Sequence, residues 1–350
     1  MEVSIFKATK NRRVFNLEQV RINTLTGVQT TLVLDANILA KFGSVVDQGN
    51  TRKAITECGL DPFVELVTAM KGDNFTIVPG FAFAEMPGAY SAKQLSSLNS
   101  FLGVHLPHVI DDPDATTEKF DTDYESPSFT SLAKKQQKSL ALPYASLLAL
   151  QIIYRSSNGS PIENFKSYID LIIGSFDIIS LKEATIAMYV FANPSELDKG
   201  TVDIRRDLIR NYLKMPGGKK GKVCRDAKSV FSVTLNGAFD IHLINAVNTY
   251  EAMHNGVNIS QDVWVVTADK KLALMNNIFY AEDGSNRAEI VIPKIAKDNS
   301  YFFEARDYLE KLMGRRSKVV RKPINLNRLL KETNKLSMRI RALDLSQDRR

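Results

Sequence analysis

Four acidic residues stand out because nothing around them accounts for a charge. Asp35 follows the aliphatic run TTLVL, Glu85 sits in GFAFAEMPG, Asp240 in GAFDIHLI, and Asp269 follows VWVVTA. Each is the single charge of an apolar neighbourhood, and cationic partners close in sequence are few. An ionised carboxylate in such surroundings is costly unless it is paired or binds a metal. A hard divalent cation resolves the repulsion among clustered carboxylates: Mg²⁺ or Mn²⁺ takes oxygen ligands and keeps several waters. An ion so held can activate water and stabilise charge growing on a phosphate in transfer.

The elements that must position these acids follow from the apolar pattern. TTLVL and DVWVVT are unbroken aliphatic runs, as in strands of a parallel sheet buried on both faces. NFTIVPGFAF predicts a further buried strand, broken by Pro79-Gly80. Residues just past the carboxyl ends of parallel strands converge on one crevice where ligands bind. Asp35 and Asp269 occupy such ends, Glu85 follows a strand closely, and Asp240 is expected to open the helix GAFDIHLINAVNTYEAMHNG. DPFVELVTAMKG predicts a helix stopped by glycine, and residues 1 to 30 read as irregular or short-strand structure. FDIISLKEATIAMYVFANP reads as a short strand, then a helix from near Ser180 to the proline. VDIRRDLIRNYLKM predicts an amphipathic helix, while SLLALQIIYRSS and ENFKSYIDLIIGSF predict apolar ones. Strands alternating with helices indicate an α/β fold with a parallel sheet.

At this point the motifs resemble those of a known family. LVLDANIL, the FAE around Glu85, GAFDIHLINAV and VVTADKKLA look like the four acidic motifs of PIN-domain nucleases, in order. IISLKEATIAMYVF is similar to the segment preceding the third acidic motif in toxin ribonucleases of that family. The resemblance implies a PIN-like α/β/α sandwich and Mg²⁺ or Mn²⁺ held by Asp35, Glu85, Asp240 and Asp269, with Asn37 and Thr267 as supporting polar residues. It further implies cleavage of single-stranded RNA by metal-activated water, leaving 5′-phosphate and 3′-hydroxyl ends, in a toxin-like or defence-related setting. Two features depart from the pattern. A helical insertion from about 91 to 175 lies within a domain of residues 1–314, and a basic helical tail occupies 315–350. The match at Glu85 is the loosest, and Asp73 or Asp262 could replace a misassigned member. A structure-selective DNA nuclease, or a non-catalytic nucleic-acid-binding scaffold, are the alternative functions.

Charge is unevenly distributed. The chain of 350 residues carries a net +7. From Arg315 to Arg350, twelve Lys/Arg face Glu332, Asp344 and Asp348, a net +9, leaving 34 basic and 36 acidic residues in the body. Such a tail suits phosphate backbones, because each cation placed on them releases counterions. The expected nucleic-acid contacts are Lys219, Lys220 and Lys222 in the loop KMPGGKKGK, and Arg315, Arg316, Lys318, Arg321 and Lys322 in the tail. Leu329, Thr333, Leu336, Ile340 and Leu343 form an apolar stripe suited to packing on the body, pairing with a partner helix, or lying along a phosphate backbone. RNA or DNA is the expected partner, with an inhibitor protein or a homo-oligomer as further candidates.

Other chemistries lack support. Two cysteines are too few for a disulfide framework, which favours a reducing, cytoplasmic setting. The opening MEVSIFKATKNRR has no apolar core of a secretory signal. LALPYASLLALQIIY falls short of a membrane span and reads as a buried helix. KMPGGKKGK fails the phosphate-loop pattern at Pro216 and Val223. His105 and His108 near Asp111 and Asp112 make a weak zinc set. Phe81, Phe83 and Phe239 could stack bases, but aromatics beside core strands are more often core. Taken singly, any of the four acids could be a helix cap or an ion-pair member.

Overall fold

The run ending at Leu34 forms strand β2 (Gln29–Leu34), five of whose six residues are buried. It is central in the computed structural model, which describes residues 3–7, 14–109, 128–178, 180–216, 223–252, 260–281, 288–290, 300–317, 325–343 and 345. β2 pairs in parallel with β3 (Phe75–Val78) on one side and β4 (Gln261–Thr267) on the other. β1 (Ser4–Phe6) adds antiparallel to β4, giving the order β1-β4-β2-β3. The fold is mixed α/β, mostly helical, around this small sheet. Three of its strands are parallel, as the aliphatic runs predict. The chain divides into two compact units.

The first unit holds the sheet and comprises residues 1–127, 243–276 and 280–287. Helices α2 (Ala36–Asp47), α3 (Arg52–Cys58) and α4 (Asp61–Ala69) connect β2 to β3. After β3 come the short α5 (Gly80–Ala84) and α6 (Gly88–His105). Leu32, Leu34, Trp264 and Val266 join Ile38, Phe42, Phe63, Phe101 and Leu102 in one core. Phe42 stacks on Phe101 at 4.3 Å between centroids. The intervening strand residues Thr31, Val33, Val263 and Val265 are equally buried, so β2 and β4 are covered on both faces, whereas β3, expected as a buried strand, is only half-buried along its length. The glycine stop after α4 is present as Gly72, with φ +94°. Helix α1 (Leu17–Leu25), capped by the Asn16 side chain on the Gln19 amide at 2.7 Å, forms where irregular structure is expected. LEQVRINTL has almost no apolar face, so periodicity gives no sign of it.

The second unit is helical and comprises residues 128–242, 277–279 and 288–350. It contains α7 (Lys134–Ser156), α8 (Pro161–Phe176), α9 (Leu181–Phe191), α10 (Lys199–Asp207), α13 (Ser300–Ser317) and α14 (Leu326–Ala342). Helix α8 starts at a capping box in which Ser160 and Glu163 exchange backbone bonds. Helix α9 begins beside Ser180 as expected, but Asp177 and Ile178 ahead of it are not strand, and Ile179 lies outside the described residues. Helix α10 continues as a π-helical segment, Leu208–Tyr212. The LALPYASLLALQIIY stretch is buried within α7. The division between the units falls at 127/128, whereas the composition change suggests an insertion of 91–175. Helix α6, most of which falls in that range, packs on α2 in the sheet unit.

Helix α11 (Ala227–Ala252) differs most from expectation. It begins well before Gly237, at a cap where Asp226 accepts from the Ser229 amide at 2.8 Å. Its stretch Ala227–Val247 is long and apolar enough by composition to cross a membrane, yet 56% of that window is buried in the protein.

The basic tail resolves one ambiguity. Leu329, Thr333, Leu336 and Ile340 of α14 are buried in its packing on α7 and α8. The stripe is therefore a docking face within the second unit. Its fifth member, Leu343, is only half-buried.

Candidate metal and phosphate site at the strand ends

Asp35 is the first residue past β2 and holds the N-cap position of α2, with extended backbone. Its amide still donates to the Val266 carbonyl at 3.0 Å, which carries the parallel ladder one residue beyond Leu34. Its side chain makes no capping bond into the first turn of α2, only a contact with the Ala36 amide at the helix start. The carboxylate turns sideways instead: Oδ2 accepts from the Thr267 hydroxyl at 2.6 Å and from the Asn37 amide at 2.9 Å. Only 2% of Asp35 is exposed, and Thr267 is fully buried.

Thr267, the last residue of β4, ties the neighbouring strand end to the same point. Its hydroxyl oxygen accepts from the Asp269 amide at 2.8 Å. Asp269 is half-buried and opens α12 (Lys270–Ile278), capping it by accepting from the Lys271 amide at 2.7 Å. The cap reading therefore holds for Asp269, whereas Asp35 sits at a helix start without capping it. Both carboxylates occupy helix N-termini, where the backbone dipoles favour negative charge.

Burial raises the Asp35 carboxyl above the usual carboxylate range. The bonds from Thr267 and Asn37 lower it in part, and the negative charge of Asp269 raises it again. The groups acting on it are thus hydroxyl, amide and carboxylate, without a cation among them. Two carboxylates coupled at adjacent strand ends form an oxygen-donor pair that a hard divalent ion would neutralise.

The other expected ligands stand differently. Glu85 ends α5, which leaves the carboxyl end of β3, and is half-buried. Asp240 is half-buried in the middle of α11, in the second unit, so it does not open a helix and is not a cap. Among the described residues, no group of three or more His, Cys, Asp or Glu side chains gathers to hold a metal. The structure brings Asp35 and Asp269 together with their expected supports Asn37 and Thr267.

The substitutes Asp73 and Asp262 lie at the wrong edge. Asp73 precedes β3 and Asp262 stands near the start of β4, both at the amino ends of the parallel strands. Asp262 is paired with Lys7, buried alongside it, and accepts from the Asn23 amide at 2.8 Å. It is a structural acid. His105 faces the Asn50 side-chain oxygen at 2.9 Å, and His108 the Val67 carbonyl at 2.9 Å. Phe83 and Phe239 are core residues.

Of the expected backbone-binding cations, Lys219, Lys220, Lys222, Lys318, Arg321 and Lys322 lie outside the described residues. Arg315 is exposed. Arg316 is half-buried and donates to the Asp177 carboxylate at 2.6 Å, so it is engaged within its own unit. Sequence reading also passed over a buried pair in α9, Lys182 and Glu183. Burial pushes Glu183 up to about 7 and Lys182 down to about 8. The one available signal was two adjacent charges leading an otherwise apolar helix. No family model, no curated protein and no solved structure matches this chain.

Proposed function

We propose that the chain is a metal-dependent endoribonuclease with a PIN-like core, cleaving single-stranded RNA from the carboxyl edge of its sheet. The observation that carries this reading is the coupling of Asp35 to Asp269 through Thr267. A buried carboxylate whose neighbours are polar or negative is costly in a protein that does not use it. Its position past a central parallel strand is where such sheets bind ligands.

The donor set fits Mg²⁺ or Mn²⁺, which is commonly held by one or two carboxylates, with waters and substrate phosphates completing the shell. When bound, such an ion supplies Lewis acidity toward phosphate and lowers the pKa of water. Asp35 and Asp269 are assigned as its principal holders, and Glu85, by its motif and its place past β3, as completing the site; Asp240 keeps its motif resemblance alone. Thr267 and Asn37 orient the Asp35 carboxylate by donating to one of its oxygens, leaving the group fixed rather than rotating. The N-termini of α2 and α12 favour negative charge at the same edge.

The test is to incubate the purified protein with labelled single-stranded RNA and DNA in Mn²⁺ or Mg²⁺, then with chelator. RNA cleavage abolished by chelator and by Asp35→Asn supports the reading. Cleavage confined to DNA transfers the assignment to a structure-selective DNA nuclease. Binding without any cleavage, indifferent to Asp35→Asn, makes the chain a nucleic-acid-binding scaffold.

A further inference from the structure

Helix α14 has two faces of opposite character. Leu329, Thr333, Leu336 and Ile340 are buried, while Arg328, Lys331, Lys335 and Arg339 form a row along an exposed flank of the helix, where Arg328 donates to the Gly174 carbonyl at 3.3 Å. The single acid of the helix, Glu332, pairs with Lys335 at 2.7 Å. The helix beneath it adds to the charge: α7 has no acidic residue, and Lys134, Lys135 and Lys138 of its first two turns are exposed. Cations at a helix N-terminus oppose the macrodipole, at about 0.3–1 kcal/mol each. Helix stability therefore does not account for three of them there.

The two sets belong to one packed module. Ser337 and Arg341 of α14 act on Tyr144 of α7, about 9 Å along the helix axis from Lys138 at a rise of 1.5 Å per residue. Arg341 also lies over the Phe231 ring at 5.6 Å. These contacts fix the C-terminal part of α14 on α7 within the second unit.

We propose that the exposed cations of this packed helix pair, Lys134, Lys135 and Lys138 on α7 and Lys331, Lys335 and Arg339 on α14, bind the phosphate backbone of RNA. Charge complementarity selects the occupant: a row of cations fixed on a helix pair matches a polyanion, and backbone contacts require no base reading. The apolar side of α14 is already buried, which removes the face with which an amphipathic helix would insert into a lipid surface. These cations are distinct from those expected at 219–222 and 315–322, and they deepen the nuclease reading by giving the substrate a contact in the helical unit.

Binding is measured by fluorescence anisotropy with a labelled single-stranded RNA, in chelator, on the Asp35→Asn chain, across a range of salt. Two triple variants are compared, Lys134→Gln/Lys135→Gln/Lys138→Gln and Lys331→Gln/Lys335→Gln/Arg339→Gln, each checked by circular dichroism for unchanged helicity and melting. Each is expected to weaken binding at least tenfold and to reduce the slope of log K against log salt by about 2, at about 0.7 per lost single-strand contact. Unchanged affinity and slope in both triples overturns the proposal. So does retained RNA binding together with lost binding to phosphatidylserine vesicles, which would make the face a membrane contact. Because cleavage is not read, a protein that binds through this face but never cuts refutes the nuclease reading alone.

Discussion

Asp35 and Asp269 are joined through one hydroxyl: Thr267 donates to the Asp35 carboxylate at 2.6 Å while accepting from the Asp269 amide at 2.8 Å. Two strand ends and two helix starts thereby share a single buried atom. Small changes at that point should be felt both in stability and at the candidate site.

Asp35→Asn should raise the melting temperature in chelator at pH 7. The folded-state pKa of Asp35 lies above its unfolded value. The carboxyl thus favours folding only at low pH, and that benefit is lost as pH rises through the folded pKa. The amide keeps an oxygen for Thr267 and Asn37 without the charge. A gain of about 2–5 °C is expected, together with loss of any Mn²⁺-dependent rise that the native chain shows. A lower melting temperature in chelator would mean that the charge already has a compensating partner.

Thr267→Val removes the shared hydroxyl at nearly constant volume. The Asp269 amide and the Asp35 carboxylate each lose a partner in a buried setting, so a loss of about 1–3 kcal/mol is expected in urea unfolding. Thr267→Ser should restore most of it. Equal stability of the valine and serine variants would show that the hydroxyl carries nothing.

Lys7→Met tests whether Asp262 is structural. Burial alone would raise the Asp262 carboxyl, but the bond and charge of Lys7 bring it below its ordinary value. Its contribution to stability is present at neutral pH and lost as pH falls through the lowered pKa. Removing Lys7 strands a buried charge, at a cost of about 3–5 kcal/mol. The double variant Lys7→Met/Asp262→Leu should recover most of this. Any Mn²⁺-dependent cleavage that the native chain shows should be unchanged per folded molecule, since the pair lies at the amino edge of the sheet.

Glu183 gives the helical unit an opposite pH signature. Its carboxyl is raised to about 7, so the folded state holds a proton that the unfolded chain releases near 4.3. Stability should fall as pH rises between those values, and Glu183→Gln should flatten that fall in thermal melts. For Lys182, lowered to about 8, stability should rise again from there toward the ordinary lysine range. A Glu183→Gln chain with an unchanged profile from pH 5 to 7.5 would place the titration elsewhere.

The strands, their parallel pairing and the carboxylates at their ends were legible in the sequence. A strand buried on both faces leaves a continuous aliphatic run, and a charge that ends the run is visible without coordinates. The stripe of α14 was legible too, as a spacing of three and four, though not what it packs on. Helix α1 was hidden because its residues show no periodic apolar face, and its start rests on one asparagine cap. The start of α11 was misplaced because a helix apolar on most sides offers no phase from which to read its beginning.

Tertiary structure decided the rest. Asp35, Asp262 and Asp269 are alike as letters beside aliphatic strands. Only the pairing of β2 with β4 sends Asp35 and Asp269 to one edge and Asp262 to the other, where Lys7 meets it. Which carboxylates share an environment depends on strand direction and register, quantities set by contacts between residues more than two hundred positions apart, as from Asp35 to Thr267. The sequence by itself marked Asp35, Glu85, Asp240 and Asp269 as charges in apolar surroundings; the fold decided that Asp35 is bound to Thr267 beside Asp269, and that Lys182 and Glu183 are buried as well.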